Sequence, residues 1–306
     1  MSTPPSQSSR RRPGRQSGRG AGGWRPSSRP PRRSTLRPSH WSESGFAISI
    51  SRTTTLGDYR LSRIGLGTNR LADTPENRAF LTAAVDAGVN FIDTAHLYTG
   101  GDSEQAIGAA LAPFPPNLVL ATKGGYEPGS GRPEQLRAEL EESFARLRTD
   151  TIALYYLHRV DPGVPLEESV SVLKDYHDAG GIQHVGLSEV SVEQIERARA
   201  VVPIAAVQNH YNLSERRYDA VVDFCEREDI LFVPFYPLRG RVRAPLKEIA
   251  RRYGATPQQI KLAWLLKRSP RVVPIPGTLS LGHLRSNLAA LDLELSDSDF
   301  ATLDGR

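Results

Sequence analysis

From about residue 59 onwards, short apolar or β-branched runs alternate with longer stretches in which apolar residues recur at helical spacing. Short apolar runs between turn residues are typical of buried strands, and recurrence at every third or fourth position is typical of amphipathic helices. The alternation therefore predicts eight successive strand–helix units. The strand-like runs end near Thr68, Thr94, Lys123, His158, Ser188, Gln208, Phe235 and Ile275.

Six helical stretches are well marked between these runs. Gly88, Gly180 and Gly254 follow stretches of this kind, and glycine accepts the left-handed conformation in which helices commonly end. The predicted helices are Glu76–Ala87, Pro133–Leu147, Leu166–Ala179, Val192–Ala200 and Ser214–Arg227, with a further one beginning near Leu281.

A β-hairpin is predicted ahead of the alternation, because Phe46–Arg52 and Tyr59–Arg63 flank the turn sequence Leu56-Gly57-Asp58. Eight units in the remaining chain match the roughly 250 residues of a closed (β/α)8 TIM barrel. An open doubly wound sheet is the alternative, and it would be expected to carry GxGxxG after its first strand. The segment 65–69 reads GLGTN and lacks the third glycine. The sequence thus predicts an α/β protein with a TIM barrel preceded by a hairpin.

Residues 1–45 differ from the rest in composition. They are rich in Ser, Pro, Arg and Gly, and the first forty contain ten arginines and no acidic residue. Such a segment has little apolar surface whose burial would offset the entropy of ordering it, so we predict a disordered tail over 1–45 and a barrel domain over 46–306. Weak, non-specific polyanion binding by this tail is one hypothesis. The alternative is that translation begins downstream, so that the tail is not made.

The charge balance changes once the tail is set aside. The chain has 39 basic and 34 acidic residues, but 41–306 contain 29 basic and 34 acidic ones. The basic charge of the whole chain therefore belongs to the tail and does not indicate that the predicted barrel binds nucleic acid. No apolar run approaches the roughly 18 residues of a membrane-spanning helix. Cys225, the single cysteine, cannot form a disulfide within the chain, which is typical of the cytoplasm. We find no metal-ligand spacing and predict no metal site.

Ionisable side chains follow three consecutive predicted strands. Barrel active sites lie at the carboxyl ends of the strands, and there the chain places Asp93, Tyr98, Lys123 and His158. Each alone has an ordinary structural explanation. Together they combine an acid, a phenol, an ammonium and an imidazole at one sector of the rim, which favours an active site.

These four groups suit proton transfer to a carbonyl. A nearby ammonium stabilises a phenolate, so Lys123 is expected to lower the pKa of Tyr98, while Asp93 orients Lys123. Tyr98 then acts as a general acid in reduction, or as a base in the reverse direction. His158 positions the carbonyl oxygen. The hydride has to come from a cofactor.

Six segments carry a resemblance to a known family. FIDTAHLY, ATKGG, YYLHRVD, GLSEVS, VQNHYN and VPIPGT occur in this order at the predicted strand ends. Over residues 47–306 the chain resembles the aldo-keto reductases, a family of TIM-barrel, NADP(H)-dependent carbonyl reductases. The resemblance implies a catalytic tetrad of Asp93, Tyr98, Lys123 and His158, with Tyr98 as proton donor.

The resemblance also implies a cofactor site along the rim. Ser188 and Gln208 would hydrogen-bond the nicotinamide carboxamide, and Phe235 would stack on the ring. The pyrophosphate would run past Tyr236, Pro237 and Leu238. The remaining implied cofactor residues are Gly67, Thr68 and Asn69 after the first strand, and Gly277, Thr278, His283 and Asn287 after the last.

Some positions depart from the family pattern. Glu189 replaces a common Asn after Ser188, and Gly277 and His283 replace a Lys and an Arg that serve the 2′-phosphate, with Arg285 as the candidate replacement. The resemblance thus implies NADP(H), with NAD(H) as the secondary choice. The short segment 239–244 implies an open pocket with broad tolerance for small-molecule carbonyl substrates.

The pocket walls are expected to include Asn69, Leu97, Tyr126, Arg159 and Tyr211. Arg159 either accommodates a polar or anionic group of the substrate or pairs with Asp161. Two alternatives remain within the resemblance. One is a pyridoxal reductase, and the other is a non-catalytic, NADPH-binding module like the β subunits of potassium channels. The natural substrate, the physiological direction and the oligomeric state are not predicted.

Overall fold

The computed structural model describes residues 51–305. The predicted tail over 1–45 and the start of the predicted barrel domain lie outside these residues. The strands are β1 (Thr53–Leu56), β2 (Tyr59–Ser62), β3 (Leu66–Gly67), β4 (Phe91–Asp93), β5 (Val119–Gly124), β6 (Ile152–Leu157), β7 (Ile182–Ser188), β8 (Ile204–Gln208) and β9 (Leu231–Phe232).

Ten helices are assigned within the described residues. They are α1 (Pro75–Asp86), α2 (Asp102–Leu111), α3 (Pro133–Leu147), α4 (Leu166–Asp178), α5 (Val192–Arg199), α6 (Asp219–Arg227), α7 (Ala244–Arg252), α8 (Pro257–Arg268), α9 (Leu281–Leu288) and α10 (Asp297–Asp304). Single 3-10 turns occur at Tyr98–Gly101 and Ala289–Asp292.

Strands β3 to β9 form one parallel sheet in chain order, which curls into a barrel. The predicted eighth strand closes it without forming a regular ladder. The Gly65 N–H donates to the Pro274 carbonyl at 3.0 Å, and the Val273 N–H donates to the Phe232 carbonyl at 2.9 Å. Pro274 and Pro276 have no N–H to donate, so the pairing along this segment is interrupted. The predicted TIM-barrel fold is confirmed, and its closure between the last and first strands is irregular.

The barrel is held together by two apolar layers. Side chains such as Phe91, Leu154 and Val233 fill the interior, and β1 and β2 pack against its lower end through Leu56 and Leu61. A larger cluster lies between the sheet and the surrounding helices. Burying both faces of each strand explains why the strands are continuous apolar runs in the sequence.

Most of the predicted helices agree closely with the structure. Helix α3 has the predicted bounds, and α5 begins with a reciprocal capping box between Ser191 and Gln194. The prediction was wrong at Ser214, since α6 begins at Asp219. Asn212 Oδ1 accepts from the backbone N–H groups of Ser214 and Glu215, at 2.9 and 3.1 Å, and holds this segment as a turn.

The predicted hairpin exists, with Thr53–Leu56 as the strand before the turn. Of the predicted segment Phe46–Arg52, Ser51 and Arg52 are not in a strand, and 46–50 lie outside the described residues. Leu56 pairs directly with Tyr59 across Gly57 and Asp58. A two-residue turn requires the first strand to run up to the turn itself, so the β-branched Thr53–Thr55 form it.

Within residues 51–305, no helix is long and apolar enough to cross a membrane.

Candidate active site

The four predicted catalytic side chains lie together at the carboxyl ends of three neighbouring strands. Asp93 ends β4, Tyr98 opens the 3-10 turn that follows, Lys123 lies in β5 and His158 directly follows β6. Parallel strands in register bring these ends to one edge of the barrel. The predicted constellation therefore exists as a spatial cluster.

Lys123 is the centre of this cluster, and its side chain is inaccessible to solvent. Its Nζ donates to Asp93 Oδ1 at 2.6 Å, to the Thr94 carbonyl at 2.6 Å and to Tyr98 Oη at 3.3 Å. Burial opposes the charge of this ammonium, but Asp93 and Tyr98 outweigh burial and raise the pKa of Lys123. Three acceptors around a three-donor group keep it charged and fixed.

Asp93 is held from both sides. Its Oδ1 accepts from Lys123 and its Oδ2 accepts from Gln208 Nε2 at 2.7 Å. Burial raises the pKa of this carboxyl, while Lys123 and Gln208 act in the opposite direction. Since each oxygen already accepts from a donor, the geometry favours the ionised carboxylate. Gln208, predicted as a cofactor contact, therefore also orients the acid.

The net shift in the pKa of Tyr98 differs from the prediction. Lys123 does pull the pKa of the phenol downward, as expected, but burial is the larger influence and the pKa lies above its ordinary value. The carboxylate of Asp93 adds to the rise. The prediction was wrong in the net direction because sequence alone does not give the degree of burial. Tyr98 is consequently a protonated phenol at neutral pH, ready to donate.

His158 is neutral in this environment. Burial, together with the positive charges of Lys123 and Arg159, holds the pKa of the imidazole well below its ordinary value. Its ring centroid lies 6.0 Å from that of Tyr98, edge to face. A neutral imidazole next to the phenol can donate a hydrogen bond without competing for the phenol's proton.

A cavity of about 310 Å³ opens onto the cluster. Its volume suits a small molecule. Most of the predicted cofactor residues line it, and so do three of the tetrad residues, whereas Lys123 lies behind the wall. The predicted residues lining this cavity are Gly67, Thr68, Asn69, Asp93, Tyr98, His158, Ser188, Gln208, Phe235, Tyr236, Pro237 and Gly277.

A second cavity extends from the first towards α9. The two share the segment 67–70 and Gly277 as lining, and the second adds Thr278 and His283. A Cβ on Gly67 would lie 2.8 Å from the Ile275 carbonyl oxygen, so only glycine permits this close approach of the two chain segments. The pair of cavities forms a continuous path from the tetrad to the first turn of α9.

Three residues named with the cofactor site lie elsewhere. The Leu238 side chain packs against an apolar cluster with Ile64. Asn287 is buried and lines neither cavity. Arg285 lines a different groove, which Arg52 also lines. Arg285 lies two residues after His283 and therefore on another side of α9, whereas Asn287 lies one turn further along the helix.

Four of the five residues predicted for the pocket walls line the cavity. Asn69, Leu97, Tyr126 and Arg159 line the cavity, together with Arg70 and Ile275, which sequence reasoning missed. Arg70 directly follows Asn69 at a strand end, so the same positional signal could have found it. Tyr211 was wrongly assigned, because it is fully buried and its hydroxyl donates to Asp219 Oδ1 at 2.5 Å.

The unusual Glu189 is engaged away from Ser188. It follows β7 with a left-handed φ of 57°. Its Oε1 accepts from the His210 N–H at 2.5 Å, and its Oε2 accepts from Arg217 at 3.0 Å. Ser188 Oγ instead accepts from Arg159 Nη1 at 3.0 Å. Glu189 thus ties β7 to the segment after β8.

Comparison with known proteins identifies relatives along nearly the whole described chain. A family profile described as "Aldo/keto reductase family" matches residues 63–305. Pyridoxine 4-dehydrogenase of Escherichia coli is 36% identical over 280 residues, which cover 83% of this chain and 98% of the relative.

Two solved structures extend the likeness to the fold. A thermostable aldo-keto reductase in complex with the inhibitor epalrestat superimposes with a TM-score of 0.77 and 33% identity, covering 83% of this chain and 98% of its own. An aldo/keto reductase from Klebsiella pneumoniae, in complex with NADP and acetate, gives a TM-score of 0.73 and 28% identity. The match covers 84% of this chain and 94% of the Klebsiella chain.

Proposed function

Since the chain belongs to the aldo/keto reductase family, we propose that it reduces aldehydes or ketones to alcohols with NADPH, and catalyses the reverse oxidation, using Tyr98 as proton donor. The observation that carries this proposal is the chain of hydrogen bonds from Asp93 through Lys123 to Tyr98, which ends in the cavity. The family and its oxidoreductase relatives support an enzyme.

The described residues fit the cofactor that was solved with the Klebsiella relative. Phe235 offers an aromatic face, and Ser188 and Gln208 offer polar groups at the inner end of the cavity. Thr278 and His283 lie along the second cavity, beside the N-terminus of α9, where backbone N–H groups favour a phosphate. When bound, NADPH supplies the hydride that no side chain can provide.

Tyr98 delivers the proton to the carbonyl oxygen in the proposed reaction. The phenol stays protonated at neutral pH because burial raises its pKa. As the proton leaves, the fixed ammonium of Lys123, 3.3 Å from Oη, stabilises the developing phenolate. Lys123 needs no rearrangement to do so, because Asp93 and the Thr94 carbonyl already hold it.

His158 positions the substrate oxygen. The low pKa keeps its ring neutral, and the ring lies edge-on to Tyr98 in the wall of the same cavity. An N–H of this ring directed into the cavity would fix the carbonyl oxygen within reach of the phenol. Asp93 acts through Lys123 and is therefore a positioning residue, and Gln208 both holds Asp93 and faces the proposed cofactor site.

Pyridoxal reduction is a second, narrower candidate. It is supported by the 36% identity with pyridoxine 4-dehydrogenase, which extends over 98% of that relative. The non-catalytic, channel-type module has less support, because the tetrad is complete and its hydrogen bonds are formed.

The proposal is tested by following NADPH consumption and alcohol formation with benzaldehyde, 4-nitrobenzaldehyde and pyridoxal. Tyr98→Phe removes the proposed donor and keeps the ring, whereas Tyr126→Phe removes another phenol from the same cavity. We expect Tyr98→Phe to lower kcat by about 10²- to 10⁴-fold, and Tyr126→Phe to lower it by less than about tenfold.

NADPH binding, measured by fluorescence, is the control for folding and cofactor capture in both variants. Tight NADPH binding by the wild-type protein without turnover of any of these carbonyls would contradict the proposal and favour the binding module.

A further inference from the structure

Two arginines line the active-site cavity, the exposed Arg70 and the half-buried Arg159, and neither forms an ion pair within residues 51–305. Arg159 is half-buried and lines the cavity beside His158. Its Nη1 donates to the His158 carbonyl at 2.6 Å and to Ser188 Oγ at 3.0 Å. Within residues 51–305, Arg159 forms no ion pair with any carboxylate. A charge partly removed from water is costly unless it is paired, so an anion is expected to complete this site.

The acidic residue nearest in sequence cannot serve as this partner. Asp161 Oδ2 accepts from the backbone N–H groups of Gly129 and Gly131, at 2.6 and 3.2 Å, and its Oδ1 accepts from the N–H of Gly163 at 2.8 Å. These bonds lower the pKa of the Asp161 carboxyl and fix it in the loop. The pairing of Arg159 with Asp161, left open by the sequence, is therefore not formed.

Two aromatic rings hold the guanidinium in place. The Arg159 Cζ lies 5.2 Å from the centroid of Tyr126 and 5.9 Å from that of Phe235. Its Nε and Nη2 donate to no acceptor in the described chain. A guanidinium fixed in this way, with donors to spare, matches the two oxygens of a carboxylate or phosphate.

We propose that Arg159 binds an anionic group of the substrate, so that the preferred substrates are aldehydes or ketones carrying a carboxylate or a phosphate. This inference rests on the proposed reductase function and names the substrate class of the same site. Arg159 would hold the anionic end of the substrate while its carbonyl lies against Tyr98 and His158. Rigid anchoring at one end raises the fraction of bound substrate in reacting geometry.

Matched pairs of substrates test the inference on the wild-type enzyme. The first pair is 4-carboxybenzaldehyde and its neutral methyl ester, methyl 4-formylbenzoate. The second is D-glyceraldehyde 3-phosphate and D-glyceraldehyde. We expect kcat/KM to be about 10- to 100-fold higher for the anionic member of at least one pair, and this ratio to fall with added salt. The pair that shows the larger ratio distinguishes carboxylate from phosphate recognition.

Variants then assign the preference to Arg159. Arg159→Gln should reduce the ratio of kcat/KM for the preferred anionic substrate to that for its neutral partner by about 10- to 100-fold. Arg159→Lys keeps the positive charge but lacks the planar guanidinium that can donate two parallel hydrogen bonds. It should retain part of the preference that Arg159→Gln loses. Arg251→Gln removes an equal charge from the surface of α7, where Arg251 pairs with Glu248, and should leave this ratio unchanged.

Three outcomes would overturn the inference while leaving the proposed function intact. The first is equal kcat/KM for the charged and neutral members of both pairs. In the second, the preference is lost in Arg70→Gln but retained in Arg159→Gln. In the third, Arg159→Gln weakens NADPH binding and slows both members equally, which would assign Arg159 to the cofactor. Absence of turnover with all four carbonyls would instead contradict the reductase itself.

Discussion

Two lysines of this barrel are buried, and their surroundings differ in kind. Lys123, at the site, contacts a carboxylate, a carbonyl and a phenol. Lys261, on α8, donates to three backbone carbonyls, those of Leu238, Arg239 and Gly240, at 2.9, 3.2 and 2.7 Å. Both residues are at most 2% exposed.

The difference separates a chemical role from a structural one. Burial lowers the pKa of Lys261, and no carboxylate contacts its Nζ to raise the value again. The partners of Lys123 raise its pKa, and one of them is a phenol with an exchangeable proton. A lysine whose partners are carbonyl dipoles can only hold a loop, whereas one beside a phenol changes the energy of a proton transfer. We infer that Lys261 fixes the segment 238–240 behind the cavity.

Removing the ammonium at the site should have the largest effect. Lys123→Met leaves Asp93 buried with one donor, from Gln208, and deprives the phenolate of its stabilising charge. We expect kcat to fall by about 10²- to 10⁴-fold and the free energy of unfolding to fall by about 3–5 kcal/mol. Steady-state kinetics and urea unfolding measure the two effects. Unchanged kcat in a folded variant would refute the role of Lys123.

Removing the second ammonium should affect stability rather than chemistry. Lys261→Met leaves three carbonyls without their donor, and we expect a loss of about 1–3 kcal/mol in the free energy of unfolding. The chain should also become easier to cleave with trypsin at Arg239 and Arg241, because their loop is no longer tethered. The single-turnover rate constant should stay within about fivefold of wild type. A loss as large as that of Lys123→Met would remove the distinction between the two lysines.

His158, next to Lys123 in the cluster, should make a smaller contribution to the free energy of unfolding, and this contribution should depend on pH. The folded protein holds the pKa of His158 well below its ordinary value, so the unfolded chain binds more protons as the pH falls through about 6.5. The free energy of unfolding should therefore decrease towards acid pH, by at most about 1.4 kcal/mol per pH unit from this group. Comparing urea unfolding of wild type with His158→Gln isolates this component, and parallel pH profiles would contradict it.

The sequence could predict one of these regions and not the other. Lys123 and Asp93 follow strands, and all strand ends of a parallel barrel meet at one rim, so position along the chain implies proximity. Lys261 lies within the apolar helix α8, among Ile260, Leu262 and Ala263. Its partners are loop carbonyls more than twenty residues away, and no side-chain pattern indicates them.

Other predictions from the sequence were wrong for the same reason, because they depend on how distant parts of the chain pack together. Tyr211 follows the end of a strand like a rim residue, but its ring packs on Trp264 and Phe232. The net pKa shift of Tyr98 depends on burial, which outweighs the ammonium that the sequence does reveal.

The pH dependence of alcohol oxidation tests the central claim most directly, because this direction requires the Tyr98 phenolate. Single-turnover rates should rise with pH to an inflection that reports the pKa of Tyr98. Lys123 lowers that pKa and Asp93 raises it. The inflection should therefore move to higher pH in Lys123→Met, to lower pH in Asp93→Asn, and not at all in Lys261→Met. An inflection that is the same in all four proteins would contradict the claim that the buried ammonium of Lys123 acts on the phenol.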